Sequence, residues 1–185
     1  MNSITYVIYS DDIDYCVLVD CGEWDTLKPV LNRIDKTVRC VLLTHGHSDH
    51  IYGLEGLLRS YPKAQICTNI DGHAELKDAK KNLSLFYGFP FAIEAYTPIL
   101  LEDKQILHFE GLADIEVIAT PGHDTSCLSF KVNNHLFTGD AYIPGVKIFT
   151  KFPRGNKAQA LQSIALLSDM EKQGFTIHCG HHSYC

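Results

Sequence analysis

The run His45-Gly46-His47-Ser48-Asp49-His50 places three imidazoles and one carboxylate within six residues. Such a density of polar groups gains nothing from packing, and imidazole with carboxylate is a donor set that divalent metal ions accept. Gly46 lacks a side chain, which lets the run turn around a common point. Residues 39–44 predict a buried strand before it, so the cluster lies where a strand passes into a loop. The run therefore predicts a metal site, although an isolated histidine would be interpreted as structural.

Composition narrows the class of protein. The 185 residues, 45% hydrophobic and 21% charged, fit one globular domain over residues 1–185. A net charge of −6 without a basic run argues against a nucleic-acid partner. The acidic start of the chain predicts no signal peptide, and no apolar stretch is long enough for a membrane span. Seven scattered cysteines favour a reducing compartment, so we expect a cytoplasmic protein with a small-molecule substrate and leave its oligomeric state open.

Three later segments resemble the histidine run. In each, an apolar strand ends at a glycine, and a metal-binding side chain follows. They end in Pro-Gly-His123, Thr-Gly-Asp140 and Cys-Gly-His181. The glycine permits a sharp change of direction that aims the next side chain at a sheet edge. Each segment alone is weakly informative. Together with the first run they supply seven candidate ligands, enough for two ions that share a bridge: His45, His47, Asp49, His50, His123, Asp140 and His181.

Strands and helices are predicted to alternate along the chain. The expected helices cover residues 24–34, 54–60, a segment through 80 with Asp71 as its N-cap, and 156–173. The expected strands cover residues 4–9, 15–20, 39–44, 64–68, 105–109, 115–120, 127–132, 135–138 and 175–178. Residues 82–103, rich in Phe, Tyr and Pro and without a clear period, predict a covering loop that lines a pocket.

These motifs occur in the order found in the metallo-β-lactamase superfamily, which the chain resembles over nearly its whole length. Asp20-Cys21-Gly22 is similar to the first motif and residues 45–50 to the second, while His123, Asp140 and His181 match the third to fifth. The resemblance implies an α/β fold, a four-layer αββα sandwich with the site at one edge of its two sheets.

The resemblance also implies two divalent ions, with Zn²⁺ preferred and iron or manganese as alternatives. It assigns His45, His47 and His123 to the first ion, Asp49, His50 and His181 to the second, and Asp140 to the bridge. Asp20 would orient a ligand histidine, with a plain turn residue as the alternative. His182 remains an alternative to His181.

Two cations about 3.5–4 Å apart would lower the pKa of a bridging water and polarise a carbonyl group. Asp49 would orient the resulting hydroxide or accept its proton. A thioester suits such a site because a thiol, with a pKa of about 8.5, leaves as thiolate without a strong acid. The implied enzyme is a binuclear metallohydrolase.

Within the superfamily, residues 120–126, 137–140 and 152–156 resemble the hydroxyacylglutathione hydrolase (glyoxalase II) branch. Lys151 and Arg154 would bind a substrate carboxylate, or else stabilise a loop. Tyr142 would donate a hydrogen bond to a developing oxyanion, as in related lactonases.

Because the chain stops four residues after His181, we expect it to lack the helical domain that grips glutathione in full-length members, which argues against glutathione dependence but leaves a role for glutathione open. The alternatives are a lactonase-type ester hydrolase, a mononuclear iron persulfide dioxygenase and a non-catalytic metal-stabilised binding protein. A full set of seven ligands argues against the last two.

Overall fold

Two five-stranded sheets form the centre of the protein, which a computed structural model describes for residues 3–182. The first sheet has the order β1 (Tyr6–Tyr9), β2 (Tyr15–Val19), β3 (Thr37–Leu42), β4 (Gln65–Thr68) and β5 (Ile99–Leu100). The second has the order β10 (Thr176–Cys179), β9 (His135–Gly139), β8 (Leu128–Val132), β7 (Ile115–Ala119) and β6 (Ile106–Leu107). The α-helices are α1 (Trp24–Ile34), α2 (Ser48–Ile51), α3 (Leu54–Ser60), α4 (Ile70–Leu76) and α5 (Lys157–Lys172).

Strand β2 shows how the layers form, because its alternate side chains enter two different cores. Cys16 and Leu18 pack in the cluster that contains the buried residues of α1 and α3. Val17 packs on the opposite side, in the cluster between the sheets that contains Phe130 of the second sheet. On the outer face of the second sheet, Leu167 of α5 is buried in a smaller cluster. The predicted αββα arrangement is therefore confirmed.

Several strands end at the same edge of this sandwich. Strands β2, β3 and β4 run parallel, so their carboxyl ends lie together. The second sheet reaches this edge through backbone hydrogen bonds, from Leu128 N to Thr44 O at 2.7 Å and from Ile4 N to Gly180 O at 2.7 Å. The segments after β3, β7, β9 and β10, which carry the predicted ligands, are thereby brought together.

Two local predictions need correction. Helix α4 is capped by Asn69, whose side chain accepts a hydrogen bond from Gly72 N, and not by Asp71; it ends at Leu76, before residue 80. The covering loop at residues 82–103 contains a 3₁₀ turn, Ser84–Tyr87, as well as β5. Across residues 3–182, no helix has both the length and the apolar character needed to cross a bilayer.

The N-terminus of α5 offers a test of the fold. Asn156 Oδ1 accepts hydrogen bonds from Ala158 N and Gln159 N, which satisfies two amides that a helix start leaves without partners. We expect Asn156→Ala to lower the free energy of unfolding by about 1 kcal/mol, measured by urea denaturation. Gln162→Ala, an exposed change within the same helix, is the control and should leave the midpoint unchanged. Equal midpoints for the two variants would contradict the capping role.

Candidate metal centre

The first group of predicted ligands, His45, His47 and His123, comes together at the sheet edge. One ring nitrogen from each lies within 4.8 Å of the others, and His123 Nε2 is 3.1 Å from His47 Nδ1. Two nitrogens bound to one tetrahedral ion at about 2.1 Å would be roughly 3.4 Å apart. All three rings are buried. The spacing fits one cation held by three imidazoles.

The environment of His45 provides a direct test of this fit. The hydroxyl of Thr44 donates to Asp20 Oδ2 at 2.8 Å, so its oxygen accepts from His45 Nδ1 at 3.1 Å. His45 Nε2 therefore carries a lone pair, and it is fully buried without a hydrogen-bond partner among the described residues. A buried acceptor without a partner is costly, and a bound cation would satisfy it.

The second group contains Asp49, His50 and His181, whose donor atoms also lie within 4.8 Å of one another. His181 Nε2 is 3.4 Å from both Asp49 Oδ2 and His50 Nε2. The neighbouring His182 is exposed and lines a different cavity, beside Glu23. The structure thus brings His181, rather than His182, to the candidate site.

Asp140 lies between the two groups. Its Oδ2 is 3.6 Å from His123 Nε2 in the first group and 3.3 Å from His181 Nε2 in the second. Its Oδ1 is 3.5 Å from His50 Nε2. A carboxylate in this position can contact an ion in either group, which is the geometry of a bridging ligand.

Further contacts fix the orientation of the imidazoles. His50 Nδ1 donates to Asp20 Oδ2 at 2.7 Å, which turns Nε2 towards the site and is the contact that the resemblance implied. His123 Nδ1 donates to the Phe149 carbonyl at 2.8 Å, with the same effect. His47 Nε2 lies 3.5 Å from Asp124 Oδ2, so its Nδ1 faces the site.

Two glycines explain why the chain can come so close to the site. Gly122, before His123, has φ +137°, and a Cβ there would lie 2.2 Å from Ala160 N in α5. A Cβ on Gly180, before His181, would lie 2.3 Å from Asp140 Oδ1. Only glycine fits either position without displacing its neighbours, as the sequence pattern predicted.

Burial and charge set opposite protonation tendencies in the site. Burial, reinforced by the positive charge that His50 can carry, holds the pKa of His45 well below its usual value, so His45 stays neutral. Burial also disfavours a charged His50, but the carboxylates of Asp20 and Asp140 outweigh it and raise the pKa of His50. Burial acts to raise the pKa of Asp140, and the facing His50 and His181 lower it well below the usual range. Asp140 is therefore an anionic donor at neutral pH.

Three residues predicted to contact the substrate have other partners or lie outside the site cavity in this arrangement. The Tyr142 hydroxyl donates to Glu171 Oε2 at 2.6 Å, and burial with this carboxylate raises the pKa of Tyr142 to about 12. Arg154 Nη2 donates to Asp124 Oδ1 at 3.0 Å, and Lys151 is exposed outside the site cavity. A role for Tyr142 at an oxyanion, or for Arg154 at a substrate carboxylate, would require each to leave its present partner.

The sequence did not reveal the carboxylates that surround Arg154. Glu75 Oε1 is 3.5 Å from Arg154 Nη2, and Glu75 Oε2 accepts a hydrogen bond from Gly46 N at 2.8 Å. Glu75 and Asp124, with His47, form a further group of possible metal donors within 4.8 Å. Because the guanidinium already supplies a cation there, we interpret this group as support for His47. In the sequence, the one indication of this group was Asp124, the acidic residue directly after His123.

A cavity of about 470 Å³ opens onto the two donor groups. Five of its lining residues are candidate ligands: His47, Asp49, His123, Asp140 and His181. The other four are Leu83, Tyr87, Phe149 and Phe152. The predicted pocket-lining role of residues 82–103 is thus met by Leu83 and Tyr87.

Comparison with known proteins identifies the same superfamily and the same fold. Residues 2–183 match the sequence model of the Metallo-beta-lactamase superfamily. The hydroxyacylglutathione hydrolase of Enterobacter sp. (strain 638) is 28% identical over 182 residues, which cover 96% of this chain and 61% of that protein. The hydroxyacylglutathione hydrolase GloC of Haemophilus influenzae is 26% identical over 182 residues, covering 96% of this chain and 84% of GloC.

Among solved structures, the BLEG-1 B3 metallo-beta-lactamase superposes with a TM-score of 0.86 at 24% identity, covering 98% of this chain and 87% of that one. This likeness concerns the fold alone. The chain spans about three fifths of the Enterobacter relative, so the activity of that whole protein does not transfer with the match. With the family match extending over almost every residue, the chain belongs to the metallo-β-lactamase superfamily.

Proposed function

We propose that this protein is a binuclear metallohydrolase that cleaves a thioester, such as a hydroxyacyl-thiol. The observation that carries the proposal is the position of Asp140 between two groups of three donors, within 3.6 Å of His123 and 3.3 Å of His181. The names of the Enterobacter and Haemophilus relatives support the same reaction. Zinc is the metal we propose, because nitrogen-rich sites with carboxylates suit it.

Two bound divalent ions would lower the pKa of a water molecule and polarise a carbonyl oxygen. The side chains of the protein would do the rest. Asp49, only partly exposed beside His181, is positioned to orient the attacking water and to accept its proton. Asp140 would hold both ions, while Leu83 and Phe152 restrict water at the mouth of the cavity.

The cavity favours a thioester over an amide. Its ionisable lining residues are candidate ligands, with Tyr87 as the single exception. Apart from Asp49, which would also hold the second ion, no ligand could serve as an acid for an amine leaving group, whereas a thiolate needs no such acid. A lactone or other activated ester meets the same requirement and is the alternative substrate. A mononuclear iron dioxygenase would leave Asp49, His50 and His181 without a role.

The proposal also includes a reducing cellular compartment for the enzyme. The six described cysteines carry free thiols, and Cys40 Sγ and Cys67 Sγ remain unbonded at 3.2 Å. Cys185 lies outside the described residues. Unpaired thiols so close together are typical of a reducing compartment, which supports a cytoplasmic protein acting on a small molecule.

The proposal is tested on protein purified without added metal. Metal content per chain is measured on the sample that is then assayed with S-lactoylglutathione, a simple lactone and a persulfide. We expect about two ions per chain with thioester or lactone hydrolysis. A single iron with oxygen uptake would replace the proposal with the dioxygenase alternative.

The bridge is tested by Asp140→Ala. Because this carboxylate contacts both donor groups, its loss should remove at least one ion per chain and lower kcat/KM by more than about 100-fold. Metal analysis and a thioesterase assay measure the two effects. Asp114→Ala, which breaks an exposed Asp–His pair on the surface, is the control and should change neither. Full activity and two ions in Asp140→Ala would contradict the bridging role.

Support of the first donor group is tested by Asp124→Asn. The amide can keep the shape of the side chain but loses the charge that orients His47 and pairs with Arg154. We expect the affinity of one ion to fall about 10- to 100-fold, while the second ion binds as before. Competition with a chromophoric chelator reports both affinities. Unchanged affinity at both sites would show that Asp124 serves Arg154 alone.

A further inference from the structure

A second recess adjoins the metal centre. Its volume is about 260 Å³, and it is lined by Leu83, Phe86, Tyr87, Phe152 and Pro153. Three of these residues, Leu83, Tyr87 and Phe152, also line the cavity that holds the candidate ligands. The recess and the site cavity therefore share a wall, and the walls of the recess are apolar apart from the tyrosine hydroxyl.

Phe152 forms the wall between the recess and the donor groups. Its ring centroid lies 5.1 Å from that of His47 and 5.6 Å from that of His123, in edge-on contacts. The Phe149 ring packs against it at 4.6 Å. A ligand whose carbonyl group lies between the two donor groups can thus extend one substituent past Phe152 into the recess.

The opposite wall of the recess is supplied by the 3₁₀ turn Ser84–Tyr87, which Asn82 holds in place. The Asn82 side chain, fully buried, accepts from Ser84 N at 2.9 Å and donates to the Phe91 carbonyl at 3.0 Å. Ser48 N of α2 donates to Asn82 O at 2.8 Å, which ties the turn to the helix that carries Asp49 and His50. The apolar side chains of the turn are therefore presented at a fixed distance from the metal centre.

These side chains face solvent although their chemistry favours burial. Phe86 is 62% exposed and Tyr87 54% exposed, beside a left-handed Leu83 at φ +68°. Neither cavity is lined by a lysine or an arginine. An anionic group in the recess would find no cation among its lining residues, whereas a hydrocarbon chain would bury these rings.

Accordingly, we propose that this recess, lined by residues 83, 86, 87, 152 and 153, binds an unbranched aliphatic acyl chain of the substrate. This inference rests on the proposed thioesterase function and names its substrate class. A saturated carbon occupies about as much volume as a water molecule, roughly 30 Å³, so the recess holds on the order of eight carbons. The preferred substrates are acyl thioesters of medium chain length.

The test is a series of acyl thioesters of N-acetylcysteamine from acetyl to dodecanoyl, assayed with the metal-loaded protein. We expect kcat/KM to rise by up to about four-fold per methylene and to level off at chains somewhat longer than octanoyl, because the first carbons lie in the site cavity. Phe86→Ser should lower the ratio of the octanoyl to the acetyl value about ten-fold. Phe89→Ser is the matched control, because Phe89 lies on the same segment, is 74% exposed and lines neither cavity. It should leave the ratio unchanged.

A binding measurement separates this inference from the proposed reaction. Octan-1-ol has no carbonyl group, and saturation-transfer NMR should detect its binding to the unmodified protein and Phe89→Ser, with a clear loss in Phe86→Ser. Hydrolysis that is independent of chain length, or equal in both variants, would overturn the recess while leaving the thioesterase intact. No hydrolysis of any thioester by protein with two bound ions would overturn the reaction, and the NMR result would then decide the recess alone.

Discussion

Imidazole nitrogens and carboxylate oxygens from four segments face one another at 3.1–3.6 Å, most of them out of contact with solvent. The lone pairs of His47 Nδ1 and His123 Nε2 face each other at 3.1 Å and repel, and His45 Nε2 has no hydrogen-bond partner among the described residues. A cation in this group would convert the repulsion into coordination and satisfy the buried acceptor. Metal binding therefore explains the polar centre of the protein, and the segments around it carry its candidate ligands.

The arrangement depends on backbone geometry more than on the ligands themselves. Strand ends of both sheets converge at one edge, and Gly122 and Gly180 let two of the segments approach within contact distance. Contacts outside the donor groups then fix which ring nitrogen faces the site. Asp20 orients His50, Asp124 orients His47, and the Phe149 carbonyl orients His123. The apolar wall at Phe152 is added to this frame, where it touches two of the rings without donating to the metal.

Much of this was accessible from the sequence because it is encoded locally. The histidine run, the glycine before each later ligand and the apolar run of β2 each lie within a few consecutive residues, and α1 was predicted with its observed bounds. Contacts between distant residues were not accessible. The Tyr142 hydroxyl is bound by Glu171, and Arg154 by Glu75 and Asp124, pairings that only the tertiary fold creates. The cap of α4 was misplaced because Asn69 and Asp71 both suit such a position, and only Asn69 accepts the amide hydrogen bond.

The proposed bridge of Asp140 between two ions can be examined by X-ray absorption spectroscopy of the zinc-loaded protein. We predict two zinc ions per chain with a metal–metal scattering path of about 3.5–4 Å and an average first shell of nitrogen and oxygen donors. Sulfur in the first shell would implicate a cysteine that the donor groups do not contain. One zinc ion per chain, with no metal–metal path, would contradict the binuclear account.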